Sequence, residues 1–120
     1  MAALERLKRR ADFLRVADGR RKWVTPGLIL QTLARAPNAS DAIRVGFTAT
    51  RKIGNAVVRN RARRRLRAAV ADVMTRHAAV GFDYVLIARA ETPKRPYAAL
   101  IEDLETALRR SGTWHDGSRE

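Results

Sequence analysis

Ile43-Arg44-Val45-Gly46-Phe47-Thr48-Ala49-Thr50 is the stretch that decides the fold, and it runs through Arg51-Lys52-Ile53-Gly54 into a long basic segment that starts at Asn55. Apolar residues at 43, 45, 47 and 49 alternate with Arg, Gly and Thr. A period of two predicts a strand with one buried face.

A long helix is predicted directly after this strand. Asn55 is a candidate N-cap, the helix extends to about His77, and Gly81 lies beyond its end. At about 100° per residue, one narrow apolar stripe runs along the helix and is expected to face the sheet. The stripe consists of Val58, Ala62, Leu66, Ala69 and Val73.

The flanking segments complete an α+β pattern. They predict a short helix over 10–18, strands near 23–24 and 28–33, a central strand over 83–88, and an amphipathic helix from Tyr97 to Leu108. The 120 residues can bury one core. We therefore expect a single-domain α-β-β-β-α-β-α sandwich with helices on a mixed four-stranded sheet, a basic flexible arm over 1–9 and a polar tail over 113–120.

Positive charge dominates the chain and is concentrated in one part of it. Lys and Arg number 25 against 12 Asp and Glu, a formal net charge of +13 that needs an anionic partner. No acidic residue lies between Asp41 and Asp72. Like charges three and four positions apart on a helix repel by a few tenths of a kcal/mol per pair. Phosphate neutralisation explains this run better than a solvated cationic face, so a phosphate-bearing polyanion is the favoured partner.

Two features of this region have open alternatives, and a third has one interpretation. The amide of Asn60, between two arginines, either contacts a base edge or ribose or bonds back to its own helix. The strand face with Arg44, Gly46 and Thr48 is either plain surface or the floor of an RNA groove. The corner from Arg51 to Asn55 resembles a phosphate seat at a helix start.

Several other functions are excluded or disfavoured. The absence of Cys rules out disulfides, thiolate metal sites and cysteine nucleophiles. His77 and His115 suggest no catalytic triad, and no acidic pair has the spacing of a two-metal site. We expect no catalytic residues and no metal ligands in this chain. With no apolar run of about 18 residues and no signal peptide, it is expected to be soluble and cytoplasmic.

The run Arg51-Lys52-Ile53-Gly54-Asn55-Ala56-Val57-Val58-Arg59-Asn60-Arg61-Ala62-Arg63-Arg64 resembles the signature of the bacterial ribonuclease P protein subunit, K-x-G-N-A-V-x-R-N-R-x-K/R-R. The similarity covers nearly the whole chain. It includes the basic start, Asp12-Phe13 in the first helix, the strand from Arg44 to Thr50, the run from Asp83 to Arg89, and the final amphipathic helix.

This resemblance implies a noncatalytic partner of a large catalytic RNA that removes the 5′ leader from precursor tRNA. The protein would help to hold the leader and would lower the magnesium requirement, with Mg²⁺ bound mainly by the RNA. It would be a monomer that pairs with one RNA. The implied fold is ribosomal-protein-S5-domain-2-like with a left-handed βαβ crossover, which the general preference for right-handed crossovers would not predict.

The resemblance also implies two binding surfaces. The surface for the RNA subunit comprises Arg51, Lys52, Asn55, Arg59, Asn60, Arg61, Arg63, Arg64 and Arg67. The leader cleft comprises Phe13, as a stacking residue, with Ala17, Arg44 and Thr48.

Two departures put stacking in the cleft in doubt. Many members of the family have a second aromatic residue where this chain has Ala17, and some have a strand aromatic where it has Gln31. Stacking is therefore weaker here, or it is supplied by Phe47 or Tyr84, for which core packing is the alternative role.

Other classes of partner remain as alternatives. A ribosomal or other structural-RNA-binding protein with no processing role would share the size, charge and lack of Cys, but it would not predict the ordered motif. A DNA-binding recognition helix should mix Gln, Ser and Asn with fewer arginines. The narrow, Ala-rich apolar stripe disfavours a membrane-surface helix.

Overall fold

A five-stranded mixed sheet in the order β1-β4-β5-β3-β2 forms the middle layer of the molecule. The computed structural model describes residues 3–37 and 40–117. The strands are β1 (Leu4–Arg6), β2 (Lys22–Val24), β3 (Leu28–Ala34), β4 (Ile43–Thr48) and β5 (Phe82–Ala88). The helices are α1 (Arg10–Asp18), α2 (Ala56–His77) and α3 (Tyr97–Arg110), with a 3₁₀ turn over Arg51–Ile53 before α2.

The central position of β5 follows from its continuous apolar run. β5 pairs parallel with β4 and antiparallel with β3, and residues 83–86 are buried. Strands covered on both faces read as near-continuous apolar segments. The predicted central strand and the α+β class are both confirmed.

Helix α2 begins where the sequence predicts. The side-chain Oδ1 of Asn55 accepts a hydrogen bond of 3.0 Å from the backbone N–H of Val58, which satisfies one of the unpaired donors at the helix start. Four of the five residues of the predicted stripe are buried, whereas Val58 is half-buried, and burial extends to Val70 and Met74. The buried residues of α2 are Ala62, Leu66, Ala69, Val70, Val73 and Met74.

The two faces of the sheet carry different layers. Helices α2 and α3 cover one face and enclose the main core, whose largest fully buried side chains include Tyr84, Leu66 and Leu104. The other face, which we name the α1 face, carries α1 and a small cluster of Leu7, Val16 and Val85. Because α1 has nine residues, it covers only part of that face.

The sheet has five strands where four were predicted, because part of the predicted flexible arm is a strand. β1 pairs parallel with β4 in the register Leu4 to Ile43, and the N–H of Leu7 donates to the carbonyl of Val45 at 2.9 Å. Leu7 is buried. The flexible-arm prediction is therefore wrong for residues 4–7, while residues 1 and 2 lie outside the described residues.

The predicted polar tail is also partly wrong. Thr113 is buried, and the Trp114 ring stacks on His77 with 4.4 Å between ring centroids. The guanidinium carbon of Arg109 lies 4.0 Å from the centroid of Trp114, and Trp114 forms a β-bridge with Ala78. Burial of the indole explains why this segment packs on the end of α2. Residues 118–120 lie outside the described residues.

The connection from β4 through α2 to β5 joins two parallel neighbours in the sheet. The left-handed crossover implied by the family resemblance concerns this connection, and its handedness stays a prediction. Among the described residues, no helix is long and apolar enough to cross a membrane.

Candidate nucleic-acid interface

The outward face of α2 is an array of cations without acidic partners. Within residues 3–37 and 40–117, no carboxylate forms an ion pair with any arginine or lysine predicted to contact the RNA subunit. The exposed members of that predicted set are Arg51, Lys52, Asn55, Asn60, Arg61, Arg64 and Arg67, and Arg59 and Arg63 are half-buried. Unpaired cations on one helix face form a binding surface for phosphates.

Asn60 and Arg63 act together within the helix. Asn60 Oδ1 accepts a hydrogen bond of 2.9 Å from Arg63 Nη1, and Arg63 Nη2 also donates to the carbonyl of Ala49 at 3.4 Å. Two roles were open for the Asn60 amide, a contact to RNA or a bond within its own helix. Its oxygen makes the bond within the helix. Asn60 thus orients Arg63 toward the end of β4.

Arg65 differs from its neighbours on α2 because its guanidinium is used inside the fold. It donates to the carbonyl of Thr92 at 2.6 Å and to the carbonyl of Arg95, both in the segment between β5 and α3. Arg65 therefore holds that segment against α2 and was not among the predicted RNA contacts.

On the α1 face, Phe13 packs directly on β4. A Cβ added at Gly46 would lie 2.6 Å from both Cε1 and Cζ of the Phe13 ring, so no larger residue fits beneath the ring in its present position. Phe13 is half-buried, with Leu7 on the same side of the sheet. The alternation of Arg44, Gly46 and Thr48 thus makes this face a floor for α1, and Gly46 is the position that admits an aromatic ring.

Beyond Phe13, one row of side chains on the α1 face crosses the sheet. The strand registers pair Thr48 with Ile87, Ile87 with Ile29, and Ile29 with Val24. The first three are half-buried and Val24 is 45% exposed. Thr48 and the three aliphatic side chains thus form a floor on the α1 face.

A solvent-open cavity of about 440 Å³ lies at the end of β4, between α1 and α2. Its lining contains three cations and two aromatic rings and no acidic residue. The lining residues are Lys8, Arg10, Phe13, Phe47, Thr48, Ala49 and Arg63. β1 ends before this point, so it leaves the edge of β4 open to the cavity. Cations beside aromatic rings are the usual elements of a single-stranded nucleic acid site.

The cavity combines residues that the sequence assigned to different surfaces. Phe13 and Thr48, predicted for the leader cleft, share it with Arg63, predicted for the RNA subunit. Ala17 is exposed on α1 one turn after Phe13 and does not line the cavity.

The geometry does not support Arg44 as a cleft contact. Its Nη2 lies 3.2 Å from Asp12 Oδ2, and its Nε lies 3.6 Å from Asp83 Oδ1. Because two carboxylates hold this guanidinium, it is not an unpaired cation for a phosphate. Arg44 therefore links α1 to the sheet, and its contact with the leader stays a prediction.

The structure separates the two aromatic residues suggested as substitutes for Ala17. Tyr84 is fully buried and its hydroxyl donates to the carbonyl of Ala79, so it is a core residue. Phe47 packs partly on the main core and also lines the cavity.

Sequence reasoning missed Lys8 and Arg10 as cavity residues and Ile29 and Ile87 as floor residues. Lys8 was assigned to the flexible arm, and Arg10 was assigned to the first residue of the short helix. The floor residues are recognisable only once the register of three strands is known.

Gly46→Ala should reduce binding to the cleft by displacing the Phe13 ring, because the added methyl overlaps two ring carbons. The expected result is a several-fold loss of affinity for single-stranded RNA, measured by fluorescence anisotropy. The same substitution in a Phe13→Ala background should have almost no further effect. Additive losses in that double-mutant cycle would contradict a role through Phe13.

An α+β domain with an unneutralised arginine helix and a cationic cleft containing an aromatic ring defines an RNA-binding protein. The family model for Ribonuclease P matches residues 1–112 of the chain. The ribonuclease P protein component of Paramagnetospirillum magneticum is 58% identical over 113 residues, covering 92% of this chain and 85% of that protein. The corresponding protein of Gluconacetobacter diazotrophicus is 54% identical over 107 residues, covering 89% and 90%. The chain belongs to the ribonuclease P protein family.

A solved structure has the same fold. An RNase P protein of Staphylococcus aureus superposes with a TM-score of 0.76 at 24% identity, covering 92% of this chain and 97% of that one.

Proposed function

We propose that this chain is the protein subunit of a ribonuclease P holoenzyme, in which it assists a catalytic RNA in removing the 5′ leader of precursor tRNA. One observation carries the proposal. The chain combines a helix whose exposed arginines have no acidic partner within the described residues with a cavity at the end of β4 that contains the Phe13 ring and three cations.

The outward face of α2 is the proposed contact to the catalytic RNA. Arg61, Arg64 and Arg67 are exposed and without acidic partners in the described part of the chain, so phosphate oxygens are their natural acceptors. The 3₁₀ turn with Arg51 and Lys52 extends this surface beyond the start of the helix.

The cleft on the α1 face is the proposed seat of the single-stranded leader. Phe13 supplies a ring on which a base can stack, and Lys8, Arg10 and Arg63 supply charge for the flanking phosphates. The floor of Thr48, Ile87, Ile29 and Val24 offers apolar contact with few hydrogen-bonding groups. Because such a floor discriminates little between bases, we expect leaders of different sequence to bind with similar affinity.

The chemistry of cleavage is assigned to the RNA partner. In this proposal the protein supplies no catalytic residue, and Mg²⁺ is bound mainly by the RNA. Cations on α2 and in the cleft lower the repulsion between RNA phosphates, which reduces the Mg²⁺ concentration needed for assembly. The proposal includes one protein monomer per RNA, a cytoplasmic location, and no DNA or membrane partner.

Reconstitution tests this function. The protein is added to a bacterial ribonuclease P RNA at low Mg²⁺, and removal of the 5′ leader from precursor tRNA is measured. We expect clear stimulation of cleavage. Binding to the RNA without any stimulation would instead favour a structural-RNA-binding protein with no processing role.

Phe13→Ala should raise KM for a precursor with a long single-stranded leader, because loss of base stacking costs about 1–3 kcal/mol per base. Affinity for the RNA subunit should stay unchanged, since Phe13 lies on the α1 face. KM for a precursor with a one-nucleotide leader is the control and should not change. An equal loss of RNA-subunit affinity would refute the assignment of two surfaces.

A further inference from the structure

The carboxylate of Asp83 on β5 is fully buried and forms ion pairs with three arginines from three parts of the chain. Arg15 Nη2 lies 2.6 Å from Asp83 Oδ2, and Arg35 Nη1 lies 3.0 Å from Oδ1. Arg44 Nε lies 3.6 Å from the same Oδ1. Arg15 belongs to α1, Arg35 follows β3, and Arg44 lies on β4.

A second carboxylate completes the network from the side of α1. Asp12 lies 3.1 Å from Arg15 Nη2 and 3.2 Å from Arg44 Nη2. Both residues that flank the Phe13-Leu14 pair in α1 are therefore tied by ion pairs to the centre of the sheet. Hydrogen bonds to Asp83 and then to Asp12 raise the pKa of Arg15 above its ordinary value.

Helix α1 depends on such contacts for its position. An isolated helix of nine residues is not stable in water. Apart from the ion pairs, α1 is held by the buried Val16 and by the Phe13 ring on Gly46. A shift of α1 away from the sheet would move Phe13, which lies one residue from Asp12.

We propose that the ion pair between Arg15 and Asp83 positions Phe13 for binding of the RNA leader. The ion pair fixes the distance between α1 and the sheet, and this distance determines where the Phe13 ring lies in the cleft. The inference rests on the proposed function and extends it. Asp83 and Arg15 touch no RNA in this arrangement and act through Phe13.

Arg35 and Arg15 contact Asp83 in different surroundings. The effect of Arg15 on the position of α1 can therefore be tested separately from its effect on the stability of the fold. The Arg35 side chain is only 6% exposed, and it also donates to the carbonyls of Phe82, Ser40 and Ala42. The Arg15 side chain is 42% exposed, and its polar contacts are the two carboxylates. Arg35 therefore contributes mainly to folding, whereas Arg15 mainly links α1 to the sheet.

The test compares Arg15→Gln with Arg35→Gln in the reconstituted holoenzyme. Each variant is assayed with a long-leader precursor and with a one-nucleotide-leader precursor, and each is unfolded in urea. Arg15→Gln should raise KM several-fold for the long leader alone, with kcat, affinity for the RNA subunit and the urea midpoint little changed. Arg35→Gln should lower the urea midpoint more and leave the ratio of the two KM values as in the wild type.

Each outcome decides between the proposals. If the wild type shows equal KM values for both precursors, the cleft function itself fails. If the wild type distinguishes them and Arg15→Gln still does so to the same degree, the positioning role is overturned. If Arg35→Gln also lost the difference between the two KM values, the ion-pair network would have a purely structural role. Should Arg15→Gln fail to fold, Asp12→Asn weakens the ion pair that joins α1 to Arg44 on β4, and it must raise the same KM ratio.

Discussion

Binding to the catalytic RNA should weaken by about tenfold or more per side chain when Arg61 and Arg64 are replaced together by alanine. A hydrogen bond to a charged group contributes about 1.5–3 kcal/mol, and 1.4 kcal/mol corresponds to a factor of ten. Both side chains are exposed on α2 and have no acidic partner within the described ranges, so their loss should not disturb the fold. Each lost phosphate contact should also reduce the slope of log K against log salt by roughly 0.7–0.9.

The matched control is Arg76→Ala, which removes the same side chain from the opposite end of the same helix. Arg76 is exposed in the last turn of α2, far from the motif. Its removal should change affinity and salt slope much less. An unchanged slope in the double variant, or an equal change in Arg76→Ala, would show that the motif face is not the contact surface.

Asp83→Ala should lower the free energy of unfolding by about 3–5 kcal/mol, because removing one partner of a buried ion pair leaves uncompensated charge in the interior. Here the loss leaves Arg15 and Arg44 with Asp12 as their remaining carboxylate, and it leaves Arg35 with none among the described residues. Such a change is large for a domain of 120 residues. Urea unfolding followed by circular dichroism measures it.

Asp72→Ala is the control for the stability prediction. Its carboxylate accepts a hydrogen bond from the Tyr97 hydroxyl at an exposed site between α2 and α3, so its loss should cost about 1 kcal/mol. If the two variants unfolded at the same urea concentration, the arginines around Asp83 would be solvated well enough to need no carboxylate.

The parts of the fold that could be predicted are those with their own periodicity. β4 alternates strictly, α2 has an N-cap and an apolar stripe, and β5 is apolar throughout, so local patterns are sufficient for each. β1 has three residues and pairs with a segment about 40 positions away, so nothing in its local sequence distinguishes it from a basic arm. The packing of Trp114 on His77 was not predicted either, because Trp114 lies in a polar segment. A single tryptophan in such a segment could have indicated that it packs against the fold.

The candidate site likewise has one part that the sequence predicts and one part that depends on tertiary contacts. The motif located the arginine face of α2, because unpaired charge is visible in the sequence. The ion pairs of Arg44 could not be predicted, because its acidic partners, Asp12 and Asp83, come from two distant segments. The cavity that joins Phe13 to Arg63 depends on where α1 lies on the sheet, and tertiary contacts rather than local preference determine that position.

The packing of Trp114 on His77 offers a place for a spectroscopic reporter. An α-helix rises about 1.5 Å per residue, so the 22 residues of α2 span about 33 Å between the Asn55 end and the His77 end. A fluorophore attached at Asp116 would lie near the His77 end, where the bridge between Ala78 and Trp114 holds the chain. Energy transfer from that dye to one on the RNA would then report the orientation of α2 on its partner, without chemical modification of any arginine in the motif.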